Sequence, residues 1–393
     1  MTGNVIAAMR NHPCALSLCG LFLATCLFMP GGALSNDNVV RVQNTPPASG
    51  KFIRSDRGYM VAYDQVIPGT HETIRMIPVP GGVIEIQPPI ERDAVDDAVT
   101  PEDAVTSESA KPLTRGATRV ELQPFWVSET EITMKQLMPY RQLYYRIKKK
   151  HPDEDGDPVK FGHVDGVTGP TDVYAPDVHF EYATDLNAAA PSGSQYMARQ
   201  YTKWLSLLTK HEYRLPMRSE WQHACRALSQ EQQAAEKQVT IRPANELDRY
   251  AVHAANATAQ LSLLVRRKLP NAWGLFDMQG NAAEWVIEDT APTGLRYGHV
   301  AMGGHLRSAA EDCQCDSMIR SSSSWWDSDP DFPPSPWWTT SGDGLMTGFR
   351  IIAPLVPMSN EDKQTAWEPD SKKLFDDVEA RIEQGRGTYD LAQ

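Results

Sequence analysis

The stretch that decides the fold reads Gly274-Leu275-Phe276-Asp277-Met278-Gln279-Gly280-Asn281-Ala282-Ala283-Glu284-Trp285. Glycines, an asparagine and two carboxylates stand among apolar residues, which is typical of neither a regular strand nor a regular helix. Gly280-Asn281 predicts a turn with positive φ, because glycine and asparagine tolerate that conformation best. Two interpretations follow: a tight turn that fills a core, or a turn whose carbonyls join Asp277 and Glu284 around a hard cation.

The composition is that of an ordinary globular protein. The 393 residues are 41% hydrophobic and 22% charged, long enough for one large domain with appendages or for two or three average domains. The formal net charge of -12 argues against a nucleic-acid partner, because the chain has no excess of cations to neutralise phosphates.

The N-terminus has the pattern of a secretory signal. Arg10 and His12 precede an uncharged run from Cys14 to Met29, and Ala33-x-Ser35 fits a small-x-small cleavage site. We therefore expect residues 1–35 to be a signal peptide and the mature protein to be exported, to the periplasm or outside the cell. A retained membrane anchor is the weaker interpretation, because the run is shorter than a spanning helix needs, and no segment of the mature chain could span a membrane.

The cysteines fit an oxidising compartment. Cleavage of the signal removes three of them and leaves Cys225, Cys313 and Cys315, which suggests one disulfide and one remaining thiol. Cys313-x-Cys315 is too short for the usual zinc spacings, so structural zinc is not expected.

The chain divides into regions by composition. Residues 36–73 are polar and mixed and predict a loosely ordered lead-in, whereas 74–356 carry the strand, helix and turn patterns of a domain. Residues 88–118 form an acidic low-complexity insertion within it, and 357–393 form a charged C-terminal appendage with one weak amphipathic helix.

Three helices of the domain carry recognisable signals. Thr133 with Gln136, and Ser219 with Gln222, are spaced as capping boxes at two helix starts. Between these two, one apolar helical face is formed from residue 195 onward by Met197, Tyr201, Trp204, Leu205 and Leu208. The helix that begins at Ser219 has one apolar side, formed by Trp221, Ala224, Cys225 and Leu228. We therefore expect Cys225 to point inward. With many short strands between them, these elements predict an α+β fold with few helices and much irregular structure.

The order of motifs resembles one family. Ile77–Gly82, Phe125–Val127 leading to Glu131–Thr133, and Arg214–Pro216 leading to Glu220-Trp221 come first. Asn271–Asn281, Glu284-Trp285, Gly303-Gly304 and Gly348-Phe349-Arg350 follow in the same order as in the formylglycine-generating enzymes, or sulfatase-modifying factors. Over roughly 74–355 the chain is similar to exported bacterial members of that family. The resemblance implies a C-type-lectin-like α+β domain.

The resemblance implies a calcium site in the opening stretch. The family's calcium falls here on Asp277, Gly280, Ala282 and Glu284, which would offer two carboxylates and two backbone carbonyls. Such oxygen donors suit a hard cation. We therefore expect calcium as the cofactor.

The chemistry of the family is less well matched. Its oxidases hold copper with two cysteines five positions apart, just after the Gly-Gly, and convert a cysteine of a sulfatase to formylglycine. The corresponding residues here are Ser308 and Cys313. A hydroxyl is a hard, weak donor for Cu(I), so the copper site is predicted to be incomplete and copper is not expected.

The resemblance also bears on the remaining cysteines and on one histidine. The family's disulfide to the Trp221 helix implies the pair Cys225–Cys315, with Cys225–Cys313 as the alternative. His305, beside the Gly-Gly, is the histidine to test, although a hydrogen-bonded wall residue is the commoner role for such a group.

Two functions therefore remain. The first is an exported non-oxidase homologue, a binding or accessory module in which the Trp-rich segment 325–338 lines a groove for a peptide or glycan. Packing of those tryptophans under loops is an equal alternative. The second function is a working oxidoreductase that uses Cys313, with Ser308 as a degenerate partner, on a cysteine of a sulfatase or another exported protein.

Overall fold

The structure, a computed structural model, describes residues 41–86, 118–143, 166–170, 173, 176–227, 244–258, 262–289, 297–326, 335–383 and 388–390. The predicted signal peptide and nearly all of the acidic insertion lie outside these ranges. Within the described ranges, no helix has both the length and the apolar character that crossing a membrane requires.

The described strands are short. In chain order they are β1 Val42–Gln43, β2 Phe52–Ser55, β3 Gly58–Val61, β4 Tyr63–Val66, β5 Thr73–Val79, β6 Gly82–Ile86, β7 Thr118–Leu122, β8 Phe125–Ser128, β9 Gly166–Thr168, β10 Ala283–Trp285, β11 Val300–Met302, β12 Met318–Arg320, β13 Thr347–Gly348, β14 Ile352–Pro354 and β15 Thr388–Asp390.

The described helices are α1 Met134–Arg141, α2 Pro176–His179, α3 Gln195–Thr209, α4 Arg218–Arg226, α5 Ala244–Leu247, α6 Asn360–Trp367 and α7 Lys372–Glu383. Short 3-10 turns lie at Ala310–Asp312, Ser323–Trp326 and Gly342–Met346. This combination confirms the predicted α+β class with few helices and many short strands.

Two four-stranded sheets organise the domain. One has the order β14-β8-β5-β4, and the other has the order β12-β11-β10-β13. Strand β10, the end of the opening stretch, lies at the centre of the second sheet, antiparallel to β11 and parallel to β13. Since β13 and β14 are separated only by the segment around Arg350, this short connection brings the two sheets together at the opening stretch.

From residue 41 onward the N-terminal lead-in forms strands, whereas the sequence predicted a loosely ordered segment over 36–73. Strands β1, β3 and β2 form a three-stranded sheet, and β4 is the edge strand of the first four-stranded sheet. Tyr63 and Gln65 of β4 are buried and Asp64 between them is exposed. The sequence did not reveal this alternation of buried and exposed residues, because the buried Gln65 is a polar residue.

Helix α1 begins at Met134, as predicted. The side-chain oxygen of Gln136 accepts the backbone N–H of Thr133 at 2.8 Å. The apolar face predicted for α3 is also confirmed, because Met197, Tyr201 and Trp204 are buried against the core.

The capping box predicted at Ser219 and Gln222 is wrong. Helix α4 begins at Arg218, and Glu220 accepts the N–H of Met217 at 2.8 Å while also pairing with Arg214. Ser219 instead donates its own N–H to Asp289 at 3.0 Å. Ser219 therefore bonds to Asp289, a carboxylate far away in the sequence, and does not cap the helix as the local spacing predicted.

The segment after Pro357 packs against the domain. The Trp367 indole donates to the Tyr213 carbonyl at 3.0 Å, and Glu368 pairs with Lys203 at 2.8 Å. The predicted amphipathic helix is α7, whose Leu374 and Val378 are buried in the main core.

Candidate functional site

The opening stretch forms the predicted turn. Asp277, Gly280 and Asn281 have φ values of 56°, 74° and 57°, all in the left-handed region. At Gly280 a Cβ would collide with the carbonyl of Val252, so only glycine fits this approach of two backbone segments. The turn ends in β10, which carries Glu284 into the interior.

Glu284 is the anion of a buried salt bridge. Its Oε2 accepts the Nε–H of Arg350 at 2.5 Å and the indole N–H of Trp221 at 2.6 Å, and its Oε1 accepts from Arg350 Nη2 at 2.6 Å. Burial opposes the positive charge of Arg350, yet the facing Glu284 raises the pKa of that guanidinium above its ordinary value. Both oxygens of Glu284 are thus committed to protein donors.

Asp277 is differently placed. Its Oδ2 accepts the backbone N–H of Arg266 at 2.6 Å, whereas its Oδ1 is buried and has no hydrogen-bond partner among the described residues. Burial raises the pKa of Asp277 to about 6. Burial, followed by repulsion from Asp277 and Glu284, raises the pKa of Glu131 well above its ordinary value.

The predicted calcium ligands fit this arrangement only in part. Asp277 has a free oxygen and lies with Gly280 and Ala282 on the same turn. Glu284 already accepts three hydrogen bonds from Arg350 and Trp221, and its role as a calcium ligand stays a prediction. No group of three or more His, Cys, Asp or Glu side chains in the described ranges is arranged to hold a metal ion.

Ser308 and Cys313 follow the Gly303-Gly304 turn. The Ser308 hydroxyl accepts the backbone N–H of His305 at 3.0 Å, which holds it in a local turn. Cys313 is fully buried beside Leu247 and Ala251, and its thiol faces the carbonyl of His305 at 3.8 Å. Burial, then the nearby Asp312 and Glu311, raises the pKa of this thiol to about 12.

His305 is held on both ring nitrogens. Its Nδ1 accepts the N–H of Arg307 at 3.1 Å, so the proton is assigned to Nε2, which donates to Asp343 at 3.1 Å. That hydrogen bond leads the effects that lower the pKa of Asp343. Ser308 contacts the backbone of His305 and not its imidazole, so this pair is not arranged as a nucleophile and its base.

The tryptophans do not line an open groove. Trp325, Trp326, Trp337 and Trp338 are only 4%, 8%, 0% and 2% exposed, and all belong to the main core. These tryptophans pack in the core, which is the alternative to a binding groove that the sequence left open. A separate polar pocket of about 640 Å³ lies beside β5, β8 and the start of α1, with Arg75, Lys135, Arg266 and Glu129 among its lining residues.

The cysteines occupy separate positions in the core. Cys225 on α4 and Cys315 are joined by a disulfide whose Cα atoms are 5.7 Å apart, which is the pairing implied by the family resemblance. Cys313 is the free cysteine of the described residues, and it is buried.

The fold is that of an α+β, C-type-lectin-like domain of the formylglycine-generating-enzyme type. A family model described as the sulfatase-modifying factor enzyme 1-like domain matches residues 65–330, and the chain therefore belongs to the sulfatase-modifying factor family. The match begins within β4, which agrees with the ordered strand found there.

Comparisons with solved structures give distant neighbours. The variable protein 1 of Treponema denticola is 16% identical with a TM-score of 0.45, and the match covers 75% of this chain and 99% of that one. PvdO from Pseudomonas aeruginosa is 17% identical with a TM-score of 0.43, covering 73% and 96%. CarF is 18% identical with a TM-score of 0.44, covering 72% and 99%. No curated protein sequence matches the chain.

Sequence reasoning did not assign a role to two residues of this centre. Glu131 and Arg350 entered only as members of family motifs, yet one carries a buried orphaned oxygen and the other neutralises Glu284. Asn281 was taken only as a turn former, although its side chain donates to Glu131 at 2.9 Å. No local pattern signals these contacts, because the partners are far apart in sequence.

Proposed function

We propose that this protein is an exported, non-oxidase member of its family that acts as a binding or accessory module. The observation that carries the proposal is the pair Ser308 and Cys313. One offers a hydroxyl already engaged by His305, and the other offers a fully buried thiol that stays protonated at neutral pH. Thiolates are the ligands that Cu(I) prefers, so this pair is a poor copper site.

The proposed ligand site of the module is the polar pocket beside β5 and β8. Arg75, Lys135 and Arg266 bring positive charge to its walls and pair with Asp64, Glu72 and Glu129 at or near the rim. Most of these charged side chains are at least partly exposed, and such pairs contribute only about 0–1 kcal/mol, so a ligand can exchange them at little cost. A peptide segment carrying both signs of charge suits this pocket.

The oxidase question is tested with the purified mature protein and a cysteine-containing peptide of the sulfatase type. We expect no copper at stoichiometric level and no oxidation of the peptide by mass spectrometry. Conversion of the peptide by the wild-type protein, lost in Cys313→Ala, would establish the alternative, an active formylglycine-type oxidoreductase.

A matched variant shows that the assay can detect a thiolate pair. Ser308→Cys restores two cysteines with the family spacing, and we expect it to bind Cu(I) more tightly than the wild type. Binding at the pocket is measured separately, by fluorescence anisotropy of labelled peptides of varied charge, with Arg75→Glu and Lys135→Glu as variants. Equal affinity of the wild type and both variants for every peptide would remove the pocket from the proposal.

A further inference from the structure

One basic surface of this acidic protein is built from two segments that meet. Leu269 donates its backbone N–H to the carbonyl of Arg249 at 2.9 Å, and Lys268 Nζ donates to the carbonyl of Asp248 at 2.7 Å. The turn after α5 therefore lies beside the loop 266–269. Together they hold four cationic residues, Arg249 and those at 266–268, in a chain whose formal net charge is -12.

The backbone of this loop is fixed by contacts with the domain at both of its ends. Asp277 Oδ2 accepts the N–H of Arg266 at 2.6 Å, and Leu269 is bound to Arg249. Arg266 has a φ of 61°, a left-handed conformation that a residue other than glycine keeps only where surrounding contacts enforce it. The loop is therefore presented in one conformation before any ligand arrives.

Two arginine side chains of the surface are not used by the protein itself. The guanidinium of Arg266 pairs with Glu129, whereas Arg267 is exposed and its side chain has no partner among the described residues. Arg249 is also exposed, and among the described residues its guanidinium contacts the ring of Tyr250, with Cζ 5.8 Å from the ring centroid. Arg249 and Arg267 therefore offer N–H donors to a ligand.

An exposed apolar side chain belongs to the same surface. Leu269 is 47% exposed, and its N–H is the group that is bound to Arg249. Guanidinium groups bind carboxylates through two parallel hydrogen bonds, and an aliphatic side chain gains free energy when it is covered. The surface therefore suits a ligand that carries both carboxylates and an apolar side chain.

An acidic protein segment fits this surface better than an anionic membrane does. Glu246 and Asp248 are exposed next to Arg249, so a broad anionic surface would meet these carboxylates as well as the net charge of -12. A short segment can place its carboxylates on the arginines alone. Charge complementarity therefore favours a peptide over a lipid surface.

We propose that Arg249, Arg267 and Leu269 form a docking surface for an acidic protein segment that also carries an aliphatic residue. The carboxylates of the segment bind the two guanidinium groups, and its aliphatic side chain covers Leu269. Arg266 lines the polar pocket beside β5 and β8, but these three residues are not among the residues that line it. The inference therefore does not depend on ligand binding in that pocket.

The test measures the fluorescence anisotropy of a labelled peptide of alternating aspartate and leucine, mixed with the full mature chain. We expect saturable binding that weakens as NaCl is added, because salt screens the attraction between exposed charges. A peptide with asparagine in place of aspartate, and one with serine in place of leucine, should each bind about tenfold more weakly.

Charge reversal at the surface is compared with charge reversal elsewhere. Arg249→Glu and Arg267→Glu should each weaken binding of the aspartate–leucine peptide about tenfold, and Leu269→Ser should also weaken it. Arg54→Glu, the same change at an exposed arginine of β2, is the matched control and should bind as the wild type does. Arg75→Glu, in the polar pocket, should leave this binding unchanged. The melting temperature of each variant verifies that it is folded.

Four outcomes would overturn the proposal. The first is that the wild-type protein does not bind the aspartate–leucine peptide. The second is an equal loss of affinity in Arg54→Glu and Arg249→Glu, which would show a response to net charge alone. The third is a loss in Arg75→Glu with retention in Arg249→Glu, which would place the peptide in the pocket. The fourth is binding to phosphatidylglycerol vesicles but not to the peptide, which would assign the surface to a membrane.

Discussion

Arg350 donates to both carboxylate oxygens of Glu284, a residue 66 positions earlier in the chain, and both side chains are withdrawn from solvent. This pair joins the connection between β13 and β14 to the centre of the second sheet. It also determines which carboxylates of the opening stretch remain free. Glu284 is a structural anion, and Asp277 is the carboxylate with an unsatisfied oxygen.

Replacing Arg350 is expected to be severely destabilising. Arg350→Met leaves Glu284 buried without a counter-charge, and breaking such a buried pair costs about 3–5 kcal/mol. The free energy of unfolding from urea titration measures the loss. The control is Arg320→Met, which removes the exposed pair with Glu288 and is expected to cost less than about 1 kcal/mol. Similar losses in the two variants would contradict the structural role of Arg350.

The disulfide is expected to contribute substantially to stability. Cys225 and Cys315 are 90 residues apart, and the chain-entropy model gives about 4–5 kcal/mol for a loop of that length. Denaturation with and without reductant should show a loss of this order in the wild type. Cys313→Ser should show the same loss, whereas the double variant Cys225→Ser, Cys315→Ser should be insensitive to reductant. Peptide mapping that found a Cys225–Cys313 bridge would refute this pairing.

Cys313 is expected to be chemically inert in the native protein. Its thiol has a pKa of about 12, so at pH 8 its thiolate fraction is about a thousandfold below that of an ordinary cysteine. Iodoacetamide labelling at pH 8, followed by mass spectrometry of the Cys313 peptide, should be slower in the native than in the denatured protein by at least that factor. Rapid native labelling would revive the oxidase alternative.

His211 gives the protein a defined sensitivity to mild acid. Burial, then repulsion from Arg41, lowers the pKa of His211 to about 4, below the value near 6.5 of an unfolded chain. Between these values the unfolded chain binds a proton that the native protein does not, so stability falls as the pH drops from about 6.5 to 4.

The measurement is urea unfolding across that pH range. His211→Gln removes this titrating group and should reduce the slope, while part of it remains because burial also lowers the pKa of His223. An unchanged slope in His211→Gln would show that another group is responsible.

Local signals predicted those elements whose residues interact with sequence neighbours. The positive-φ turn at Gly280-Asn281, the start of α1 after Thr133 and the apolar face of α3 were all predicted. The prediction of a capping box at Ser219 was wrong because a group distant in the sequence, Asp289, accepts a hydrogen bond from this serine. The Trp-rich segment gave a similar ambiguity, because a run of indoles is compatible with a groove or a core until its covering residues are known.

The sequence by itself determined the family, the α+β class and the turn at Gly280-Asn281. The motifs and their order can be read directly from the chain, and the turn depends on the conformational preferences of two adjacent residues, glycine and asparagine. Only the tertiary structure decided how the charges of the centre are paired. Glu131, Arg350 and the opening stretch with Asp277 and Glu284 are three separate segments of the chain, and the burial of these four residues makes each pairing costly to change. The fold therefore determines that Arg350 pairs with Glu284 and that Asp277 and Glu131 have no guanidinium partner among the described residues.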